Sequence, residues 1–166
     1  MRKITGIAVT LATAVGICLV TGLAQWAKAE DASAQAAYRD IENTLGSVPG
    51  FFKAFPESGI AGAWAEFKSV QLNPKTKLDV KTKELIGLAV AAQIPCHYCI
   101  YFHTAVAKAH GATDEDIREA VAMAAISRHW STVLNGMQID LDTFKRETDT
   151  VLRMAAEKSK TVGMAK

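Results

Sequence analysis

The chain has 166 residues, of which 49% are hydrophobic and 22% charged, and its formal net charge is +2. This length fits about one domain. The composition, with 11 Gly and 4 Pro, excludes a disordered polar chain and a collagen-like or low-complexity protein.

Residues 1–29 have the order of a secretory signal peptide. A basic start is followed by an uncharged apolar stretch from Ile4 to Trp26 and by the small-x-small cleavage site Ala27-Lys28-Ala29. We therefore expect export, in a bacterium to the periplasm, with residues 30–37 as a flexible leader and no membrane contact after cleavage. The alternative is an uncleaved anchor helix, because the apolar stretch is long enough to span a bilayer.

Loss of this segment changes the charge and the cysteine content of the mature chain. Its three basic residues leave with it, so the net charge falls from +2 to −1. A nearly neutral domain offers no electrostatic case for nucleic acid as a partner. Cys18 leaves as well, and in an oxidising compartment the remaining pair, Cys96 and Cys99, can cycle as a disulfide.

Helical spacing of apolar residues dominates the mature chain from residue 38 onward, and none of its segments alternates convincingly as a strand does. The first half predicts a helix through Tyr38, Ile41 and Leu45, a short apolar helix closed near Pro56, and an amphipathic helix from Ile60 to Val70 that ends at Asn73-Pro74.

The second half predicts longer helices. They are a buried helix from Asp79 to Gln93, a helix from Cys96 to His110 stopped by Gly111, a helix capped by Thr113 with Asp116 near its third position, and an amphipathic helix from Ser131 to about Glu157. The expected fold is therefore all-α, a single-domain helical bundle over residues 38–150, with residues 151–166 as a helix end and frayed tail.

Two cysteines and a histidine mark the candidate site. At about 100° per residue, Cys96, Cys99 and His103 share one face of their helix. The unpaired N–H groups of the first turn favour a thiolate at Cys96. His103 lies one turn beyond Cys99 and can accept its proton, which favours Cys99 as the nucleophile. The residues alone leave this choice open.

Glu84 joins this group by its register. If the two helices form an antiparallel hairpin around Ile94-Pro95, a rise of about 1.5 Å per residue puts Glu84 and His103 nearly level. A carboxylate beside the imidazole would orient it and raise its basicity. The sequence therefore predicts a Glu–His–Cys proton relay.

The pattern Glu84-x11-Cys96-x2-Cys99-x3-His103 resembles the signature of the alkylhydroperoxidase D-like branch of the carboxymuconolactone decarboxylase family. The segments 45–52, 83–86 and 110–117 are similar to other motifs of that family, so the likeness spans residues 38–148. One position departs from the pattern: Tyr98 stands just before Cys99, where alkylhydroperoxidase D has a second histidine.

The resemblance implies an all-helical fold that assembles into homotrimers or homohexamers. It implies a thiol-dependent peroxidase or disulfide reductase, with an unidentified thiol as reductant and no cofactor or metal beyond the Cys96–Cys99 disulfide. In this reading Cys99 attacks the hydroperoxide, Cys96 resolves the intermediate, and Glu84 and His103 form the relay.

Three alternatives compete with this interpretation. A zinc site would use Cys96, Cys99 and His103, with a fourth ligand from His97, His110 or His129. The two cysteines could instead form a purely structural disulfide in a non-catalytic helical module, although so small a loop gains little entropy. A lactone decarboxylase of the same family would not need the cysteines. Haem c is excluded because Ile100, not His, follows Cys99.

Overall fold

A computed structural model describes residues 31–164 of the chain. Every regular element in this range is helical, which confirms the all-α prediction. The predicted signal peptide and its cleavage site lie outside the described residues. From residue 31 to residue 164, no helix combines the length and the apolar character that a bilayer crossing requires.

Eight helical segments follow one another between residues 31 and 164. They are α1 (residues 31–45), α2 (Gly50–Lys53), α3 (Glu57–Glu66), a π-helical continuation of α3 (Phe67–Gln71), α4 (Val80–Gln93), α5 (His97–Ala109), α6 (Asp114–Gly136) and α7 (Leu141–Met164). The chain divides into two compact units between Lys77 and Leu78, inside the domain predicted over residues 38–150.

The first unit has an apolar core drawn from α1, α2 and α3. Its buried members are Ala34, Ala37, Ile41, Phe52, Ile60 and Trp64. The expectation of a flexible leader at residues 30–37 is wrong for residues 31–37, which are helical. The physical reason is that Ala34 and Ala37 continue the buried face of Ile41 at helical spacing, so their burial stabilises the first turns of α1.

A polar contact ties α1 to the end of α3. The carboxylate of Asp40 accepts hydrogen bonds from Trp64 Nε1 at 2.6 Å and from Lys68 Nζ at 2.8 Å. The Lys68 ammonium, and after it the Trp64 indole, hold the pKa of Asp40 below its ordinary value. This contact therefore stabilises the ionised carboxylate in the folded state.

In the second unit, α4 packs against both α5 and α6. The buried side of α4 contains Glu84, Leu88 and Ala91. Near its end, the amide of Gln93 donates a hydrogen bond of 2.6 Å to the carbonyl of Ala124 on α6. These contacts hold α4 between its two neighbours.

The helix boundaries of this unit follow the predicted signals at α5 and at the start of α6. Gly111 has a φ of +85° and ends α5, and Ala112 N donates to Ala107 O at 2.9 Å across that turn. Thr113 and Asp116 form a reciprocal capping box at the start of α6. Both predictions are confirmed.

The last two helices differ from the prediction. No helix begins at Ser131, because α6 runs unbroken to Gly136. The break falls later, where the Asp140 carboxylate accepts a hydrogen bond of 2.8 Å from Thr143 N in the first turn of α7. This helix then continues to Met164, beyond the predicted end near Glu157.

Candidate active site

The α4–α5 hairpin supports the candidate site. The helices are separated only by residues 94–96, and such a short connection makes them antiparallel neighbours. Pro95 has no N–H to continue the hydrogen-bond pattern of α4. The chain re-enters a helix directly after Cys96, whose N–H donates back to Ala91 O at 3.1 Å. The first turn of α5 is thereby fixed against the last turn of α4.

Across this hairpin, Glu84 and His103 are in direct contact. The Oε2 atom of Glu84 lies 2.7 Å from Nδ1 of His103. The glutamate is 1% exposed, and the imidazole side chain is 18% exposed. A carboxylate removed from water needs a charged or hydrogen-bonding partner, and the imidazole supplies one.

This contact defines the orientation of the imidazole. An ionised carboxylate only accepts hydrogen bonds, so Nδ1 donates to it and the other ring nitrogen, Nε2, becomes the acceptor in the neutral ring. Nε2 is then the atom that can take a proton from another group. The arrangement has the parts of a general base with its orienting acid.

Cys96 and Cys99 are joined by a disulfide at the start of α5, with their Cα atoms 5.3 Å apart. Cys96 is the N-cap residue, and its Sγ accepts a hydrogen bond of 3.2 Å from Cys99 N. Cys99 precedes His103 by four residues, a spacing that puts the two side chains side by side on one helix, about 5–6 Å apart at Cβ. Both cysteines are half-buried.

All four predicted site residues therefore lie on the α4–α5 hairpin, in two directly bonded pairs. The sulfurs that the zinc alternative requires are bonded to each other. Among residues 31–164, no three His, Cys, Asp or Glu side chains are grouped as metal ligands. The further ligands of that alternative are exposed: His97 and His110 on α5 and its cap, and His129 edge-on to Trp130 at 5.4 Å on α6.

Gly87 is a residue of this site that the sequence did not point to. It lies one turn beyond Glu84 on α4, and a Cβ atom built on it would lie 2.5 Å from Nδ1 and 2.7 Å from Nε2 of His103. The available signal was a glycine inside a helix, where it costs stability relative to alanine and therefore calls for a packing reason.

Comparison with known proteins identifies the family. The model of the carboxymuconolactone decarboxylase family matches residues 59–140. The chain is 37% identical over 86 residues to uncharacterized protein 4 in the cox locus of Paracoccus denitrificans, a match that covers 49% of this chain and 78% of that protein.

A solved structure gives the same result. The alkylhydroperoxidase AhpD core from Rhodospirillum rubrum superposes with a TM-score of 0.59 and 30% sequence identity, over 67% of this chain and 84% of that one. The all-α fold and the Cys96–Cys99 pair agree with this likeness. The chain therefore belongs to the carboxymuconolactone decarboxylase family, in its alkylhydroperoxidase D-like branch.

Proposed function

We propose that the protein is a thiol-dependent peroxidase and disulfide oxidoreductase that reduces hydroperoxides through Cys96 and Cys99. The observation that carries this proposal is the 2.7 Å contact between Glu84 Oε2 and His103 Nδ1, one helical turn from Cys99. A redox-active cysteine pair needs a nearby base, and here a buried carboxylate orients the imidazole for that role. The similarity to a solved alkylhydroperoxidase core supports the same activity.

In this proposal, the relay activates the thiol of Cys99. A free cysteine has a pKa of about 8.5, so near neutral pH it is mostly protonated and weakly nucleophilic. The Nε2 atom of His103 accepts the Cys99 proton, directly or through one water. Glu84 stabilises the imidazolium that results, since its carboxylate already lies against Nδ1.

The reaction then runs in two balanced steps. The Cys99 thiolate attacks the terminal oxygen of a hydroperoxide, the O–O bond breaks, and the leaving alkoxide takes the proton from His103 to become an alcohol. Cys99 is now a sulfenic acid. The Cys96 thiolate, whose proton has already passed to solvent, attacks that sulfur and the S–O bond of the sulfenic acid breaks. The disulfide forms, and the leaving hydroxide takes a proton from solvent to become water. Two thiols are oxidised for each hydroperoxide reduced.

The assignment of the attacking sulfur rests on two competing features. Cys96 is the N-cap residue of α5, where a backbone N–H points at its sulfur and stabilises a thiolate. Cys99 lies one turn before His103, where the base can take its proton. We assign attack to Cys99 and resolution to Cys96, because Cys99 is beside the proton acceptor and the N-cap keeps the partner sulfur ready as a thiolate.

An external thiol has to reduce the disulfide before another cycle, and the compartment of the protein decides which thiols are available. The signal-like N-terminus supports export to the periplasm, with cleavage after Ala29. The reductant would then be a thiol protein or small thiol of that compartment. Cell fractionation with N-terminal sequencing of the mature chain tests this, and a chain that starts at Glu30 is expected.

We also propose that the chain works as a homotrimer or homohexamer. Four apolar side chains of α7 are exposed within about 100° of its circumference: Leu141, Phe144, Val151 and Leu152. An apolar stripe of this kind on a long helix is typical of a helix that packs on another surface. The exposure of this stripe in the single chain supports a state in which a second copy covers it.

A second candidate function comes from the family match itself, whose model is named for a decarboxylase of carboxymuconolactone. That reaction does not require the cysteines. Turnover of the lactone by protein with Cys96 and Cys99 alkylated would favour this candidate. Loss of hydroperoxide turnover on alkylation, with no lactone turnover before or after it, supports the thiol mechanism.

The test of the primary proposal uses the purified mature protein with a hydroperoxide and a panel of thiol and dithiol donors. We expect the parent to consume hydroperoxide catalytically with at least one donor. Cys99→Ser should abolish consumption, and Cys96→Ser should form a sulfenic acid at Cys99 that a dimedone-type probe traps. His129→Asn, an exposed histidine on α6, is the control and should retain the parental rate. Unchanged consumption by Cys99→Ser would overturn the assignment.

A further inference from the structure

The ring of His103 lies directly against the backbone of α4 at Gly87. The three atoms of its outer edge, Nδ1, Cε1 and Nε2, are the nearest side-chain atoms to the position that a Cβ on Gly87 would occupy. Two of these distances are 2.5 Å to Nδ1 and 2.7 Å to Nε2, well inside the separation that real Cβ atoms keep. Any larger residue at this position therefore needs the imidazole to move.

We propose that Gly87 is a positioning residue, whose missing side chain leaves the space that the His103 imidazole occupies while it contacts Glu84. Glu84 and Gly87 are three residues apart and so face α5 together. The ring lies over Gly87 with Nδ1 turned to the carboxylate one turn earlier. A methyl group at position 87 would push the ring away from α4 and lengthen the contact with Glu84.

The backbone gives no other reason for a glycine here. Gly87 has ordinary helical geometry, unlike Gly46 and Gly111, which have positive φ angles. It lies in the interior of α4, where glycine is less favourable than alanine because it loses more conformational freedom on folding. Close approach of the imidazole explains why the helix has glycine at this position.

The inference rests on the proposed function only for its catalytic consequence, and its structural part is tested without turnover. In a double-mutant cycle, Gly87→Ala should lower the melting temperature in the parent but raise it in a His103→Ala background, where the ring is gone and alanine favours the helix. If Gly87→Ala fails to fold in the parent but folds together with His103→Ala, that outcome also supports the proposal. Equal shifts in both backgrounds would overturn the proposal.

A glycine without this contact is the matched control. Gly62 lies in the interior of α3, and among residues 31–164 no atom outside its own helix backbone lies within 4 Å of a built Cβ. Gly62→Ala should raise the melting temperature equally with and without His103, because a Cβ at position 62 meets no side chain of the described residues. An unequal effect of Gly62→Ala would mean that the cycle reports general destabilisation and would remove the support for Gly87.

Two further measurements distinguish a role of Gly87 in positioning the His103 imidazole from a general role in stability. In the imidazole NMR spectrum of the reduced protein, the His103 Nδ1–H signal should shift or disappear in Gly87→Ala and stay unchanged in Gly62→Ala. The rate of Cys99 oxidation by hydroperoxide should fall by about tenfold or more in Gly87→Ala. If the parent shows no peroxide reactivity, the proposed function fails while the cycle and the spectrum still decide the role of Gly87. A parental spectrum in Gly87→Ala would contradict that role.

Discussion

The carboxylate of Glu84 and the imidazole of His103 meet at 2.7 Å across a helical hairpin, although they are 19 residues apart in the chain. The glutamate is buried and the imidazole is partly open. Because the buried acid contacts Nδ1, Nε2 is the ring nitrogen left for another partner. The catalytic proposal depends on this pair more than on the disulfide, which by itself could be structural.

Replacement of Glu84 tests whether the acid acts on the imidazole. Glu84→Gln keeps the volume of the side chain and can still hydrogen-bond, but it removes the charge that stabilises an imidazolium. We expect the rate of hydroperoxide-dependent thiol oxidation to fall by about a hundredfold, measured by stopped-flow at neutral pH. Glu119→Gln, at an exposed position on α6, should leave the rate unchanged. A Glu84→Gln variant with the parental rate would remove the relay from the mechanism.

The Asp40 contact predicts an acid-dependent part of the stability of the first unit. The pKa of Asp40 is lower in the folded protein than in the unfolded chain, through the hydrogen bonds from Lys68 and then Trp64. Such a group stabilises the fold fully above its unfolded pKa of about 3.9, and this contribution is lost as the pH falls through the folded pKa.

We therefore expect Asp40→Asn to melt at a lower temperature than the parent at pH 7, and the gap to close below about pH 4. Thermal unfolding followed by circular dichroism and by tryptophan fluorescence measures it. Glu42→Gln, an exposed acid on the same helix, is the control. A gap that persists unchanged at pH 2 would contradict the ionic origin of the contact.

The turn after α5 predicts a cost for alanine at Gly111. A residue with a Cβ in the left-handed region is less stable by roughly 1–2 kcal/mol, and Gly111 has a φ of +85° there. Gly111→Ala should lower the free energy of unfolding by this amount in urea titrations. Gly62→Ala, in the interior of α3, should change it in the opposite direction by about 0.5–1 kcal/mol. Equal effects of the two variants would show that the turn conformation is not the cause.

The apolar stripe of α7 predicts an effect on assembly. Val151→Asp introduces a charge into the exposed stripe, and burying it against a second copy would be costly. Sedimentation velocity should show the parent as a trimer or hexamer and the variant as a smaller species. Arg153→Glu, on the opposite side of the helix, should leave the parental state intact. A monomeric parent would contradict the proposed assembly.

Much of the site could be predicted because its parts are close in sequence. A short connection between two regular helices fixes the height of each residue, so the level of Glu84 and His103 followed from the helical rise alone. The structure has the pair in contact. The catalytic roles of both residues stay predictions.

The role of Gly87 could not be predicted in the same way. Sequence shows a glycine within an apolar run, but the need for space arises only where the His103 ring crosses α4. Crossing geometry depends on the packing of both helices, and a one-dimensional pattern does not contain it. The expectation for residues 31–37 is wrong for a different reason. The segment is small and polar in composition, which is typical of a flexible leader, yet Ala34 and Ala37 are buried at helical spacing.

The boundary between α6 and α7 could not be located from the sequence. The sequence predicted an amphipathic helix from Ser131 to about Glu157 from the spacing of its apolar residues. In the structure α6 continues through Ser131, and the break comes after Gly136, ahead of the Asp140 cap. Apolar spacing marks the whole region as helical, but it does not locate the break between α6 and α7.

The central claim is that the two sulfurs are oxidised together by a hydroperoxide. The most direct test mixes fully reduced mature protein with one equivalent of hydroperoxide and counts free thiols and remaining oxidant over time. We predict that two thiols disappear for each hydroperoxide consumed, with no gain in covalent dimer. Persistence of both thiols while the hydroperoxide remains unconsumed would contradict the proposed peroxidase.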